Sequence, residues 1–164
     1  MSATIRTARL VLEPASAEVA RAVLDGVGPA AARGWPGPEA LQILQFAAEH
    51  GADPGWLILR DTPDGVVVVG ECGTNGPLDA DGTVEIRYGI APGERGQGLA
   101  SEACAELTAW LLNQPGVRKV AASIHAAGNP ASRRVLERCG FSLDRVEGPT
   151  AWYAVTGRQA GGTA

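Results

Sequence analysis

The chain has 164 residues, of which 45% are apolar and 20% are charged, and its formal net charge is −4. This composition is typical of a soluble globular protein, and the negative charge disfavours nucleic acid as a partner, because phosphate binding needs a clustered basic face. The sequence contains neither an apolar run long enough to span a membrane nor a secretory signal, and its three separated cysteines suit neither a disulfide framework nor a zinc site. We therefore expect a cytoplasmic protein without a bound metal, with a single domain at 1–157 and a flexible tail at 158–164.

The first half of the sequence predicts two helices among three short strands. Ser16 is expected to cap the first helix, and a proline begins the second. The turn Pro63-Asp64-Gly65 joins two strands in a hairpin. In chain order, the predicted elements are a strand at Leu10–Leu12, a helix after Ser16, a helix at Pro38–Glu49, and strands at Trp56–Arg60 and Val66–Gly70.

The second half alternates strands with helices. Apolar residues spaced by four, three and four positions, beginning at Ala100, predict an amphipathic helix. The predicted elements are a strand at Thr83–Ile90, a helix at Gly98–Asn113, a strand at Lys119–His125, a helix at Pro130–Cys139, and strands at Phe141–Val146 and Trp152–Val155. The whole order, β-α-α-β-β-β-α-β-α-β-β, predicts an α/β protein with a mixed sheet.

A glycine-rich loop joins the strand that ends at Ile90 to the helix that begins near Gly98. The first N–H groups of a helix have no partner within it, and they lie at the positive end of the helix dipole. Arg95 adds a permanent positive charge, and Gly96 and Gly98 let the main chain approach a ligand closely. The loop therefore predicts a site for a phosphorylated cofactor.

The glycine spacing excludes two common nucleotide sites. A dinucleotide fold carries G-x-G-x-x-G after its first strand, and a P-loop ends in Gly-Lys-Ser/Thr. Here Gly93, Gly96 and Gly98 give G-x-x-G-x-G in the middle of the chain, followed by Leu-Ala. What remains is Arg-x-x-Gly-x-Ala, at Arg95, Gly98 and Ala100. This pattern resembles the pyrophosphate-binding loop of the GNAT superfamily, the acyl-coenzyme A-dependent N-acyltransferases.

The resemblance extends over most of the chain. Three further motifs accompany the loop: Glu-Ile-x-Tyr beginning at Glu85, Asn129-Pro130-Ala131-Ser132, and Gly140-Phe141. Together with the loop, these motifs are similar to those of the RimJ/RimL-like branch. It implies a GNAT fold, in which a splayed central mixed β-sheet is flanked by helices on both faces. It also implies acetyl transfer from acetyl-CoA to a primary amine, on a protein N-terminus or on a small molecule. Because relatives are often dimers, a homodimer is expected.

The resemblance also implies which residues contact acetyl-CoA. Ile90 and Ala91 are expected to face the acetyl-pantetheine arm with their backbone, and the Ile90 N–H is expected to stabilise the oxyanion. The expected pyrophosphate contacts are Arg95, Gly96, Gln97, Gly98, Leu99 and Ala100.

Asn129 and Ser132 have two interpretations. The resemblance implies that Asn129 contacts the pantetheine arm and that Ser132 lies near the sulfur, where it would protonate the leaving thiolate. Capping of the next helix by Asn129, with Pro130 at the first helical position, explains the same residues without any function. Leu136 occupies the place where many relatives carry a tyrosine acid, so Ser132, a water or unassisted release of the thiolate replaces it.

Two carboxylates are candidates for the base that an amine acceptor needs, since the amine is protonated near neutral pH. Glu85 is the first choice, because the resemblance places an acidic base near the start of this strand. Arg87 lies on the same face of the strand as Glu85, where relatives often have a small residue; it would weaken Glu85 as a base or meet an acidic acceptor. Glu71, on the neighbouring strand, is the rival base or a contact for the amine. The alternative for both is an exposed strand residue without a catalytic role, paired with Arg87 in the case of Glu85. Trp35, between the first two helices, either borders the acceptor pocket or simply packs in the core.

The cysteines favour direct attack in a ternary complex, because none of them has a basic partner that would support an acyl-enzyme. A non-catalytic acyl-CoA-binding or sensor domain is the alternative. Such a domain would retain the loop and Asn129 without a base, and both a Glu85–Arg87 pair and the missing tyrosine agree with it.

Overall fold

The computed structural model describes residues 3–52 and 55–157, so the tail predicted at 158–164 lies outside the described residues. Residue contacts divide the chain into two compact units. The first unit contains Met1–Gly73 and Tyr88–Glu106, and the second contains Thr74–Arg87 and Leu107–Ala164. The single domain at 1–157 stays a prediction.

Eight strands and four α-helices make up the described fold. The strands are β1 Ile5–Arg6, β2 Leu10–Ala15, β3 Gly55–Thr62, β4 Gly65–Asn75, β5 Thr83–Ile90, β6 Lys119–His125, β7 Ser142–Glu147 and β8 Thr150–Thr156. The helices are α1 Ala17–Leu24, α2 Pro38–His50, α3 Leu99–Leu112 and α4 Pro130–Arg138, and a short 3₁₀ helix forms at Pro92–Glu94. Among the described residues, no helix is both long and apolar enough to span a membrane.

In the first unit, strands β1 to β4 pair in antiparallel fashion in chain order. The end of β5 lies beside β4, where the Ala91 N–H donates to the Val69 carbonyl at 2.8 Å. Helices α1 and α2 pack with this sheet around one apolar cluster. Its buried members are Ala15, Ala20, Trp35, Leu44, Ala47, Leu57, Val68 and Ala91.

In the second unit, the beginning of β5 pairs in parallel with β6, through Thr83–Glu85 and Lys119–Ala121. Strand β8 then pairs with β6 and β7 in antiparallel fashion. The strand order is therefore β1-β2-β3-β4-β5-β6-β8-β7. Parallel and antiparallel pairs occur together, which confirms the predicted mixed α/β sheet.

All predicted helices and strands are present; helix ends differ by one residue, and the larger differences are one additional strand and the ends of β2 and β4. Strand β1 was not predicted, because a two-residue strand leaves no periodic pattern. Strand β2 continues through Pro14 to Ala15. Proline is tolerated there because β1 pairs with Val11 and Leu12 and does not extend to Pro14. A missing N–H on the β1 side of Pro14 therefore breaks no hydrogen bond between strands.

Strand β4 does not end at Gly70 as predicted; it runs on to Asn75. Gly70 does not end the strand; it allows the backbones of β4 and β5 to approach each other closely. A Cβ atom built on Gly70 would collide with the carbonyl oxygen of Gly89 on β5. Glycine is therefore needed where β4 and β5 meet, and this strand passes directly through Gly70 to Glu71.

The variant Gly70→Ala is expected to lower the free energy of unfolding by about 3 kcal/mol, because backbone must move to admit the methyl group. For a chain of this size, thermal denaturation should show a loss of about 5–10 °C in Tm. Gly93→Ala is the matched control, since a Cβ at Gly93 meets no atom of the described residues within 4 Å. An unchanged Tm for Gly70→Ala would contradict the close approach.

Candidate active site

The glycine-rich loop lies in the first unit and forms as a tight turn before α3. The 3₁₀ helix Pro92–Glu94 follows β5, and α3 begins at Leu99. Gly96 and Gly98 both have a φ of +79°, a left-handed conformation that other residues adopt only with strain. The first N–H groups of α3 have no partner within the helix, so this turn is suited to an anion.

Side chains hold the loop from both ends. The Arg95 side chain folds back toward the end of β5, where its Nε donates to the Ile90 carbonyl at 3.0 Å. Arg60 on β3 forms an ion pair with Glu94 at 2.9 Å and donates to the Gln97 side-chain oxygen at 3.1 Å. These side-chain contacts thus hold the loop in its conformation.

Ile90 and Ala91 connect β5 to this loop and are both buried. The Ala91 N–H donates to Val69 at 2.8 Å, and its carbonyl accepts from the Glu94 N–H at 2.9 Å. Ala91 therefore already uses the backbone groups that were expected to face the cofactor. The proposal of a backbone oxyanion donor accordingly rests on Ile90.

Glu71 and Trp35 meet in the first unit, although they are 36 positions apart in sequence. The Trp35 Nε1–H donates to Glu71 Oε2 at 2.5 Å. Trp35 is carried there by the segment after α1, in which Ala32 N donates to the Val68 carbonyl at 2.8 Å and Val68 N donates to Ala30 at 2.8 Å. This contact fixes the orientation of the Glu71 carboxylate.

A small apolar cavity adjoins this pair. Its volume of ≈ 10 Å³ gives room for about one water-sized group. Glu71 is the acidic residue in its lining, and the other lining residues are apolar. They are Ala15, Trp35, Ala40, Ile43, Leu44, Trp56 and Leu57.

Glu71 also lies against β5. A Cβ atom built on Gly89 would come within 2.5 Å of Glu71 Oε1, so the carboxylate lies where a side chain at 89 would be. Gly89 directly precedes Ile90. The structure therefore brings Trp35, Glu71 and the end of β5 together, which the sequence had left open.

Glu85 and Arg87 belong to the second unit, on the first part of β5. Glu85 Oε1 accepts a hydrogen bond from Ser123 Oγ on β6 at 2.8 Å. Ser123 is thus a partner of Glu85 across the sheet, and a Glu85–Arg87 pair stays a prediction. Glu85 precedes Ile90 by five positions in the sequence of β5.

Asn129 and Ser132 lie together at the start of α4 in the second unit. The Asn129 side-chain oxygen accepts from the Ser132 N–H at 3.1 Å, and Pro130 stands at the first helical position. The capping interpretation of Asn129 is thus confirmed. Contact with acetyl-CoA by either residue stays a prediction.

Sequence reasoning missed several residues that contact the candidate residues within each unit. Ser123, Arg60 and the aliphatic lining of the cavity carry no local motif, because each takes its place through contacts distant in sequence. The continuous apolar run at 56–59 could have indicated that Leu57 is buried, but no signal in the sequence pairs it with Glu71.

Comparison with known proteins supplies the family. The family model described as an acetyltransferase (GNAT) domain matches residues 9–142, which is most of the chain. No curated protein sequence matches this chain.

Solved structures match its fold over nearly its whole length. A GNAT-family acetyltransferase from Bacillus anthracis has 14% identity and a TM-score of 0.69, covering 94% of this chain and 98% of its own. RimL, a ribosomal L7/L12 alpha-N-protein acetyltransferase in complex with coenzyme A, has 18% identity and a TM-score of 0.66, with coverages of 94% and 98%. RimJ from Mycobacterium smegmatis, in complex with a CoA disulfide, has 21% identity and a TM-score of 0.63, with coverages of 94% and 87%. Sequence and fold agree, and the chain belongs to the GNAT family of acetyltransferases.

Proposed function

We propose that this protein transfers an acetyl group from acetyl-CoA to a primary amine by direct attack in a ternary complex, with Glu71 as the base. The position of Glu71 carries the proposal. Its carboxylate is oriented by Trp35, adjoins a cavity of water-molecule size, and lies against Gly89, the residue before Ile90. A primary ammonium group is about the size of water and has the charge that a carboxylate attracts.

Each residue of the site then has a role that agrees with its surroundings. Bound acetyl-CoA would supply the activated acetyl group. Glu71 accepts one proton from the ammonium group, so that the nitrogen lone pair can form the new bond to the carbonyl carbon. The Ile90 N–H stabilises the negative charge that develops on the carbonyl oxygen. The carbon–sulfur bond breaks, and the sulfur leaves as a thiolate, which costs little because thiols have a pKa near 8.5. The nitrogen then carries one proton more than the amide product, and this second proton passes to the thiolate, so that the products are the amide and the free thiol.

The phosphates are assigned to the turn before α3. Backbone N–H groups of Gly96, Gln97, Gly98 and Leu99 and the charge of Arg95 fit an anion there. The RimL and RimJ structures that share this fold contain coenzyme A or its disulfide, which supports this use of the turn. Ser132 remains proposed as the proton donor to the thiolate.

We assign the base to Glu71 in preference to Glu85. Glu71 adjoins the end of β5, whereas Glu85 lies five residues before Ile90 and is engaged by Ser123. RimL, by its name, acetylates the alpha-amino group of a protein. For this chain we propose a primary amine, either an N-terminal α-amine or the amine of a small molecule. A homodimer and a cytoplasmic location stay predictions.

The proposed function is tested by calorimetric titration with acetyl-CoA, followed by thiol-release assays with alkyl amines, amino-acid amides and peptides with free N-termini. Micromolar binding and thiol release with at least one class of primary amine are expected. Absence of acetyl-CoA binding would overturn the assignment of the loop. Binding without turnover on every class would overturn the assignment of primary amines as acceptors.

The variant Gly89→Ala tests whether kcat depends on the position of the Glu71 carboxylate. Its new methyl group would displace the carboxylate end of Glu71, and displacement of a catalytic group by about 1 Å can cost 10²-fold in rate. We expect kcat to fall by about 10- to 100-fold with little change in Tm, because a side-chain end moves more easily than backbone. The same substitution in a Glu71→Gln background should have almost no further effect on kcat. A full additional loss there would contradict the role of Glu71.

A further inference from the structure

Arg9 contacts both the glycine-rich loop and the helix that follows it. It directly precedes β2, and its Nη1 donates to the Gln97 carbonyl at 2.9 Å. Its Nε donates to Glu102 Oε2 at 2.7 Å, and its backbone N–H donates to Glu102 Oε1 at 2.7 Å. A Cβ built on Gly98 would lie 3.4 Å from its Nη2. One residue 88 positions away from Gln97 therefore holds the turn and the start of α3 together.

Glu102 is the fixed partner in this arrangement. It lies in the first turn of α3 and also accepts a hydrogen bond from the Thr7 hydroxyl. Its side chain is 17% exposed, against 49% for Arg9. Burial acts to raise the pKa of Glu102, but the hydrogen bonds from Thr7 and Arg9 and the Arg9 charge bring it below its ordinary value. Glu102 is thus ionised at neutral pH and anchors the guanidinium group.

The hydrogen bond from Arg9 to the Gln97 carbonyl also sets the direction of the Gly98 N–H. In a trans peptide, the carbonyl and the N–H of the same unit point in opposite directions. Because the Gln97 carbonyl points to Arg9, the N–H of Gly98 points away from it. Loss of Arg9 would free this peptide unit to rotate, since its glycine neighbours restrict the backbone weakly.

We propose that Arg9, anchored by Glu102, is a positioning residue that presets the loop for the pyrophosphate, and so makes the enzyme prefer acetyl-CoA over acetyl thioesters without a pyrophosphate. This inference rests on the proposed use of acetyl-CoA. Arg9 acts on the cofactor through the backbone of Gln97 and Gly98, and Glu102 acts through Arg9. The chemical step at the thioester does not involve either residue.

The test compares two acetyl donors in the full-length protein: acetyl-CoA and S-acetyl-pantetheine, which has no pyrophosphate. In Arg9→Gln we expect KM for acetyl-CoA and the calorimetric Kd for CoA to rise by about 10- to 100-fold. We expect kcat/KM for S-acetyl-pantetheine to be unchanged. Arg9→Lys should show an intermediate loss, because lysine retains the charge without the planar fork, and this milder variant keeps the test informative if Arg9→Gln folds poorly. Arg6→Gln, on the exposed β1 position, removes the same charge as a control and should leave both donors unaffected.

Glu102→Gln separates positioning from direct phosphate contact by Arg9. If Arg9 is a positioning residue, Glu102→Gln weakens CoA binding, and its effect is not additive with that of Arg9→Gln. If Arg9 binds phosphate directly, Glu102→Gln leaves CoA binding unchanged or strengthens it, which would overturn the proposal. Equal losses for both donors in Arg9→Gln would overturn it as well. Absence of CoA binding or turnover in the wild-type protein would instead refute the proposed function.

Discussion

Replacement of Glu71 by glutamine is expected to lower kcat for amine acetylation by about 10²- to 10⁴-fold, the usual contribution of a general base. Glutamine has nearly the same shape and can still accept the hydrogen bond from Trp35, so the site should retain its structure. The Kd for acetyl-CoA, measured by calorimetry, should be unchanged, because the loop and α3 are untouched. Initial rates of thiol release give kcat and KM for the acceptor.

The pH dependence of this variant identifies what Glu71 does. Without a base, only the amine that is already neutral can react, so the rate of Glu71→Gln should rise with pH up to the pKa of the free acceptor. That pKa is about 8 for an N-terminal α-amine and about 10 for an alkyl amine. If Glu71 only binds the ammonium group, KM for the acceptor rises while kcat is retained.

Glu85→Gln is the matched control, because it removes the rival carboxylate with the same change of charge and shape. Glutamine can still accept the hydrogen bond that Ser123 donates to Glu85, so we expect kcat to change by less than about threefold, well below the effect of a general base. The reverse result, a large loss in Glu85→Gln and a small one in Glu71→Gln, would return the base to Glu85. Full activity in both variants would contradict a carboxylate base at either position.

The parts of this fold that the sequence predicted are those encoded locally. The strand, glycine turn and helix from Thr83 onward form a continuous segment with its own periodicity and capping chemistry. The same holds for the Ser16 cap, which accepts from Val19 N at 3.1 Å, and for the Asn129 cap of α4. Each of these features depends on residues within a few positions of one another.

The arrangement of the site could not be predicted in this way, since it depends on contacts distant in sequence. Trp35 meets Glu71 across 36 positions, and Arg9 meets Glu102 across 93 positions. Gly70 was misleading, because the sequence does not distinguish a glycine that permits two strands to approach closely from a glycine that ends a strand. The proposal of Glu71 as the base, in preference to Glu85, therefore draws on these contacts and not on the sequence alone.

Gly98→Asp is expected to weaken CoA binding by at least about 100-fold while the protein still folds. Aspartate adopts a left-handed backbone more readily than most residues. Of the residues that the structure describes, its Cβ would meet only Arg9, at the ordinary contact distance of 3.4 Å from Nη2. Its carboxylate would enter the proposed pyrophosphate site, where repulsion between two charges about 4 Å apart costs up to about 4 kcal/mol near a protein surface. Calorimetric titration with CoA measures the loss, and Tm confirms folding.

Gly98→Asn is the matched variant that separates charge from shape. Asparagine tolerates the same backbone conformation and fills the same space without a charge, so it should weaken CoA binding much less than aspartate does. Gly93→Asp places the same charge where, within residues 3–52 and 55–157, a Cβ meets nothing within 4 Å and φ is not positive. It should have a still smaller effect on CoA binding. If Gly98→Asp binds CoA as tightly as the wild type, the turn before α3 is not the phosphate site. Equal losses in Gly98→Asp and Gly98→Asn would show that the backbone conformation at Gly98, and not the charge at this position, controls binding.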